Sequence, residues 1–204
     1  MNVERFWAAV RPDALRGIVK REGESWIGAI ATMDGNENWQ VLVGALALLP
    51  PEWHLVIAGD GPGRGAIRHE AERLDLSHRV HLPGRVDDHA IFMGLLDIYA
   101  LASETEGFPM FAACAMAAGL PIVAPARHEL ATLVGEANAP FVVDPAKAGE
   151  LLPTALRELV GDVTLRVLAG QQNQARARSQ FAQTAMVERF RRLYASALGR
   201  EIKA

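Results

Sequence analysis

Leu55-Val56-Ile57-Ala58-Gly59-Asp60-Gly61-Pro62-Gly63 carries an unbroken apolar run straight into a glycine-rich bend, and a segment with Ile67, Ala71 and Leu74 at helical spacing follows it. That order reads as a strand, a tight turn and a helix. The unit recurs on both sides. Trp26 to Ala31 reads as a strand, and the Asp34-Gly35-Asn36 turn leads into a helix over Glu37 to Leu48. Val80 to Leu82, Ile98 to Leu101, Ile122 to Ala124 and Phe141 to Val143 read as further strands, with helices near Ala90–Leu95, Met110–Ala118, His128–Val134 and Glu150–Leu159 between them. Short strands without polar alternation suit a parallel sheet covered on both faces. The alternation predicts an α/β chain with a Rossmann-like, doubly wound parallel sheet over 26–162. Residues 1–25 read as a polar lead-in or linker remnant, and 163–204 as a C-terminal helical extension packing on the sheet domain. Ligands of such sheets sit beyond the carboxyl ends of the strands. One rim therefore gathers the loops Thr32–Asn38, Gly59–Arg64, Gly84–Asp88 and Ser103–Met110.

The bulk properties narrow the field of function. The 204 residues are half hydrophobic and 22% charged, with a net charge of −3. This is ordinary globular composition, large enough for a core, and nothing in it attracts nucleic acid or an anionic membrane in general. One cysteine excludes an internal disulfide framework and suits a reducing compartment. Met1-Asn2-Val3-Glu4-Arg5-Phe6 is too polar for a signal peptide, and no apolar run reaches transmembrane length. The expected location is the cytoplasm.

The chemistry concentrates at Glu106-Gly107-Phe108-Pro109. A carboxylate at a strand end accepts bonds from sugar hydroxyls, and the free N–H groups of a following helix turn suit a phosphate. Eight positions on, where a second facing carboxylate would complete such a site, stands Cys114, on an apolar helix that makes it a small buried hydrophobe rather than a reactive thiol. Gly59-Asp60-Gly61 lets a ligand approach the backbone or serves the turn alone; the two readings are even. The run also resembles the glycine motif of S-adenosylmethionine-dependent methyltransferases, but it lies in the second βα unit and no acid ends the next strand. Asp87-Asp88 and Glu104/Glu106 are the close acid sets, and no histidine or third acid stands at a metal-supporting interval. His78 and His81 read as packing or solvent-facing. Arg64 reads as a solvated helix-start residue.

Asn2-Val3-Glu4-Arg5-Phe6, Asp34-Gly35-Asn36-Glu37-Asn38, Ala58-Gly59-Asp60-Gly61-Pro62, Gly84-Arg85-Val86-Asp87-Asp88, Ser103-Glu104-Thr105-Glu106-Gly107-Phe108-Pro109 and Ala115-Met116-Ala117-Ala118-Gly119-Leu120-Pro121-Ile122-Val123-Ala124 occur in fixed order. Together they closely resemble the C-terminal, nucleotide-sugar-binding domain of GT-B-fold, family 4 (group 1) retaining glycosyltransferases, over nearly the whole chain. The resemblance implies that Glu106 is the catalytic-site carboxylate contacting the donor sugar. It implies that Gly107, Phe108 and Pro109, with the backbone N–H groups of Met110 and Phe111, meet sugar hydroxyls and the distal phosphate. Gly59, Asp60 and Gly61 join the donor-binding set, and Arg85, Val86 and Asp87 lie against the nucleobase. It implies no metal, because an arginine and a lysine neutralise the pyrophosphate.

Three positions depart from the pattern. The family's arginine falls at Thr32, its lysine at Glu37, and its ribose-binding glutamate at Cys114. Losing a positioned stabiliser of developing charge costs on the order of a hundredfold in rate. The ribose carboxylate's bonds are worth roughly 1.5–3 kcal/mol each. Arg64 and Arg127 are the candidates for substitute cations. The resemblance thus implies the donor half of a glycosyltransferase using a nucleoside-diphosphate sugar, completed by a separate acceptor-binding chain. A degenerate non-catalytic binding or interaction module is the alternative, and a GT-B-fold sugar-nucleotide epimerase ranks below both. Met186, Val187, Phe190, Leu193, Tyr194 and Leu198 form a helix-spaced apolar stripe near Arg189, Arg191 and Arg192, suited either to packing on its own domain or to docking a partner.

Overall fold

The computed structural model describes residues 1–15, 17–34, 38–102, 110–126 and 128–197. Six parallel strands, β1 (Ser25–Ala31), β2 (Trp53–Gly59), β3 (Val80–Gly84), β4 (Ile98–Ala100), β5 (Ile122–Pro125) and β6 (Val142–Val143), lie in the order β3-β2-β1-β4-β5-β6. Ile27 pairs with Leu55 on one side and Ile98 on the other, and Tyr99 pairs with Ile122. This is the doubly wound sheet that the alternating pattern predicts. The strand order reverses direction at β1, between β2 and β4.

Strands buried on both faces need two apolar layers, and the helices supply them. Helices α1 (Trp39–Leu46), α2 (Arg64–Arg73) and α6 (Ala148–Gly161) cover one face, where Trp39, Leu42, Ile67, Leu152 and Leu156 meet Ile27, Leu55, Ile57 and Val123. Helices α3 (His89–Gly94), α4 (Met110–Ala117) and α5 (His128–Leu133) lie with the other layer, where Phe92, Met93, Ala115 and Leu130 meet Trp26, Val56, Tyr99 and Ile122. Fully burying a side chain such as Phe92 contributes about 1.5–3 kcal/mol.

The chain after 162 forms two helices, α7 (Val163–Phe181) and α8 (Gln183–Ala197), broken at Ala182, which is buried and extended at ψ 142°. α7 is bound to the sheet by a buried polar network. Asn173 Nδ2 donates to Leu120 O (2.9 Å) and Asn138 Oδ1 (2.8 Å), and Asn173 Oδ1 accepts from Gly135 N. Asn138 closes the circuit on both backbone groups of Ile122. Gly170 lets α7 approach closely, since a Cβ there would lie 2.1 Å from Gly119 O.

The lead-in contains a 3-10 turn over Val3–Trp7 and lies on the α3–α4 layer. Val3 and Leu15 are buried, Trp7 Nε1 donates to Ala117 O, and the Arg178 guanidinium sits 4.3 Å from the Trp7 ring centre. Lys20 pairs with Asp97 at 2.7 Å.

Candidate functional site

The helices that follow β1 and β4 lie on opposite faces of the sheet, which makes the carboxyl ends of these two strands a topological switch point, where sheets of this kind bind their ligands. Ser103, Glu104, Thr105, Glu106, Gly107, Phe108 and Pro109, like Glu37 and Arg127, lie outside the described residues. The described part of the rim is formed by the loops after β1, β2 and β3 and the start of α4.

The loops after β1 and β2 meet backbone to backbone. Gly59 has φ +135°, and a Cβ on it would lie 1.8 Å from Ala31 O. A Cβ on Gly61 would lie 2.2 Å from Thr32 O, and Gly63 N donates to Met33 O at 2.8 Å. No side chain fits at 59 or 61, so these two glycines are explained by the loop contact without a ligand. Met33 is fully buried with φ +49°, which anchors the β1 loop and leaves Thr32 and Asp34 exposed beside it. Thr32 brings no charge to the rim. The Asp60 carboxylate turns back to accept from Gly61 N at 3.0 Å and is exposed.

Arg64 departs from the expectation of a solvated side chain. Its Nη2 donates to Leu82 O in β3 and it is half-buried, so the guanidinium ties α2 to the neighbouring strand and is not a free cation at the rim. The β3 loop turns at Gly84, φ +85°, and presents Arg85 and Asp87 to solvent while Val86 packs inward. Arg85, Val86, Asp87, Pro83 and Ile91 line a depression of about 550 Å³ whose far wall is Leu15 of the lead-in. Asp88 is not free to bind a ligand with both oxygens. Oδ1 caps α3 by accepting from Ala90 N (2.9 Å) and Ile91 N (3.4 Å), and Oδ2 pairs with Arg5 at 2.8 Å.

Met110 and Phe111 open α4, the first exposed and the second half-buried. Phe111 meets His89 of α3 edge to face, ring centres 5.0 Å apart, which joins the β3 loop to the start of α4. His89 was not among the residues that the sequence marks; an isolated histidine after an acid pair carries no signal of its own. Cys114 is buried four residues into the helix, its Sγ 3.7 Å from Met1 Sδ. Burial raises its thiol pKa, which agrees with a small packed hydrophobe rather than a nucleophile. No group of three metal-ligating side chains occurs among the described residues.

A sequence model described as glycosyl transferases group 1 matches residues 24–162. The chain belongs to that family. Among similar proteins of this family, the lipopolysaccharide core biosynthesis glycosyltransferase LpsE of Rhizobium meliloti is 26% identical over 160 residues, covering 78% of this chain and 46% of LpsE. Two solved structures share the fold. Anabaena Alr3699/HepE in complex with UDP and glucose superposes with a TM-score of 0.79 at 19% identity, over 96% of this chain and 55% of that one. The C-terminal domain of the group 1 protein LpcC from Francisella tularensis gives 0.73 at 18% identity, over 90% of this chain and 99% of that domain. This glycosyl transferase chain therefore has the fold of the C-terminal, Rossmann-like half of the GT-B architecture. It spans about half the length of LpsE or less of the other curated relatives that it matches.

Proposed function

We propose that this chain is the donor-binding half of a retaining group 1 glycosyltransferase, acting in the cytoplasm on a nucleoside-diphosphate sugar and an acceptor held by a separate domain. The observation that carries the reading is the β1–β4 switch point, in a chain whose family model spans 24–162. HepE, with the same fold, is seen with UDP and glucose. On this reading Glu106 accepts from sugar hydroxyls, and the N–H groups of Met110 and Phe111 at the start of α4 face the distal phosphate. The depression beside Arg85, Val86 and Asp87 takes the base. Gly59 and Gly61 hold the β1 and β2 loops at the spacing this requires.

A partner supplying the acceptor side has a surface to meet. Met186, Val187, Phe190, Leu193 and Tyr194 of α8 are all exposed, which favours the second of the two uses that the stripe's spacing allows; Leu198 lies outside the described residues. With Met1, Met110 and Phe181, part of this stripe lines an apolar groove of about 410 Å³ next to α4.

The non-catalytic alternative is favoured by two observations. Thr32 stands exposed where the family carries an arginine, and Cys114 is sealed beneath Met1. Titration calorimetry of the full chain with UDP, GDP, ADP and their sugars separates the readings. Submillimolar binding of one nucleotide and its sugar supports donor binding, and millimolar or absent binding throughout overturns it. Tight binding without sugar transfer or donor hydrolysis, with the acceptor half added, favours the non-catalytic module.

A further inference from the structure

At the amino ends of the strands, opposite the switch point, a set of titratable side chains lies outside the donor-site reading. His54 near the start of β2 and His81 in β3 approach with Nδ1 of His54 2.9 Å from Nε2 of His81. The rings are parallel to within 5° with centres 5.2 Å apart. Face-to-face rings at van der Waals separation would hold these nitrogens further apart, so the two imidazoles meet edge to edge in one N–H···N bond. Glu24 lies on the other side of His54, Oε1 3.8 Å from Nε2. Its second oxygen accepts from Arg21 N (3.0 Å) and Trp26 Nε1 (3.1 Å), which fixes the turn that brings the lead-in into β1. A cavity of about 580 Å³ lies over the group, roofed by Gly17, Ile18, Val19 and Arg21.

We propose that Glu24, His54 and His81 form an acid-sensitive clasp that holds residues 17–24 on the amino ends of β2 and β3 and opens below about pH 6. The proton count makes the case. In the neutral pair His54 Nε2–H faces the Glu24 carboxylate and His54 Nδ1 accepts from His81 Nε2–H. A first excess proton leaves that bond in place, with Glu24 as counter-charge. A second puts N–H groups on both facing nitrogens and sets two cationic rings head to head. The surroundings do not absorb that charge. Arg21 from the lead-in, and His78 and Arg79 from the turn before β3, are all electrostatically coupled to the pair, against Glu24. Asp13 is a further acid on the cavity wall, and Lys20 over the Trp26 ring is held by Asp97. Lifting the segment lets water reach both rings and the second proton bind. Each proton held by the open state and refused by the closed one raises the open population about tenfold per pH unit.

Hydrogen–deuterium exchange of the full chain at pH 7.5 and 5.5, corrected for intrinsic rates, reads the opening directly. Protection of residues 17–24 should fall at least tenfold in the wild type and by less than half that factor, on a logarithmic scale, in His81→Gln. Unchanged wild-type protection, or an equal fall in both proteins, overturns the clasp. Imidazole NMR titration of the wild type gives a test without a variant. His54 and His81 should titrate in two separated steps, and independent titration of both near about 6.5 would refute the shared bond.

Discussion

At position 114, where the resemblance implies a carboxylate, the chain has a thiol, and the fold has closed over it. Cys114 is 6% exposed and its sulfur lies against Met1. A glutamate there would be desolvated in the ligand-free chain. Cys114→Glu should therefore cost about 1–3 kcal/mol, measured by urea unfolding. The sign of its pH dependence follows. Burial raises the folded carboxyl's pKa above the unfolded value of about 4.3, so stability is lost as pH rises between the two and the variant is weaker at pH 7 than at pH 4.5. On the donor-binding proposal, saturating UDP restores part of the loss. At this scale the sequence was legible where a residue acts through its own backbone and illegible where its partner is remote. Gly59 and Gly61 announce a turn, but the carbonyls of Ala31 and Thr32 that exclude a side chain belong to another loop. Arg64 looked solvated because its acceptor, Leu82 O, is supplied by the register of a neighbouring strand. His54 carried no signal for the same reason, its partner being His81 of the next strand.

Elements were read more fully than residues, because burial on both sheet faces writes itself as short apolar runs. All six strands lie where those runs occur, with ends shifted by up to two residues. The break at Ala182 was not visible, since Phe181-Ala182-Gln183-Thr184 holds neither glycine nor proline to mark it. Nor was the reason α7 stays on the sheet. Asn173 sits amid residues that suggest a solvated helix face, yet it is fully buried and every polar atom of its amide is bonded to the loops before β5 and β6. Asn173→Leu leaves the Gly135 N–H and a Leu120 carbonyl bond unmade, each at roughly 1–3 kcal/mol. A loss of about 3 kcal/mol or more in urea unfolding is expected, and α7 should show the largest gain in hydrogen exchange.

For the molecule as a whole, the stripe on α8 separates stability from association. Phe190 and Leu193 are 52% and 66% exposed, so Phe190→Asp and Leu193→Asp should each change unfolding free energy by no more than about 0.5 kcal/mol. On the proposal above, the same changes abolish capture of a separately expressed acceptor half in size-exclusion chromatography. Periodicity alone located this stripe but could not say which way it faces, because a helix-spaced apolar face looks the same whether covered by its own domain or by another. The position of β1 has a different consequence, for the way the chain reaches its native state. β1 pairs with β2 soon after it in the chain, but its other edge waits for β4, with Ile27 joined to Ile98. As synthesis proceeds, the first three strands and their helices can assemble while the apolar margin of β1 stays open. Parallel pairing across so long a loop is slow, and an unpaired apolar edge is a template for other chains. The seam between β1 and β4 thus joins parts of the sheet that are far apart in the chain, and until β4 arrives it is a place where a nascent or refolding chain is exposed to self-association.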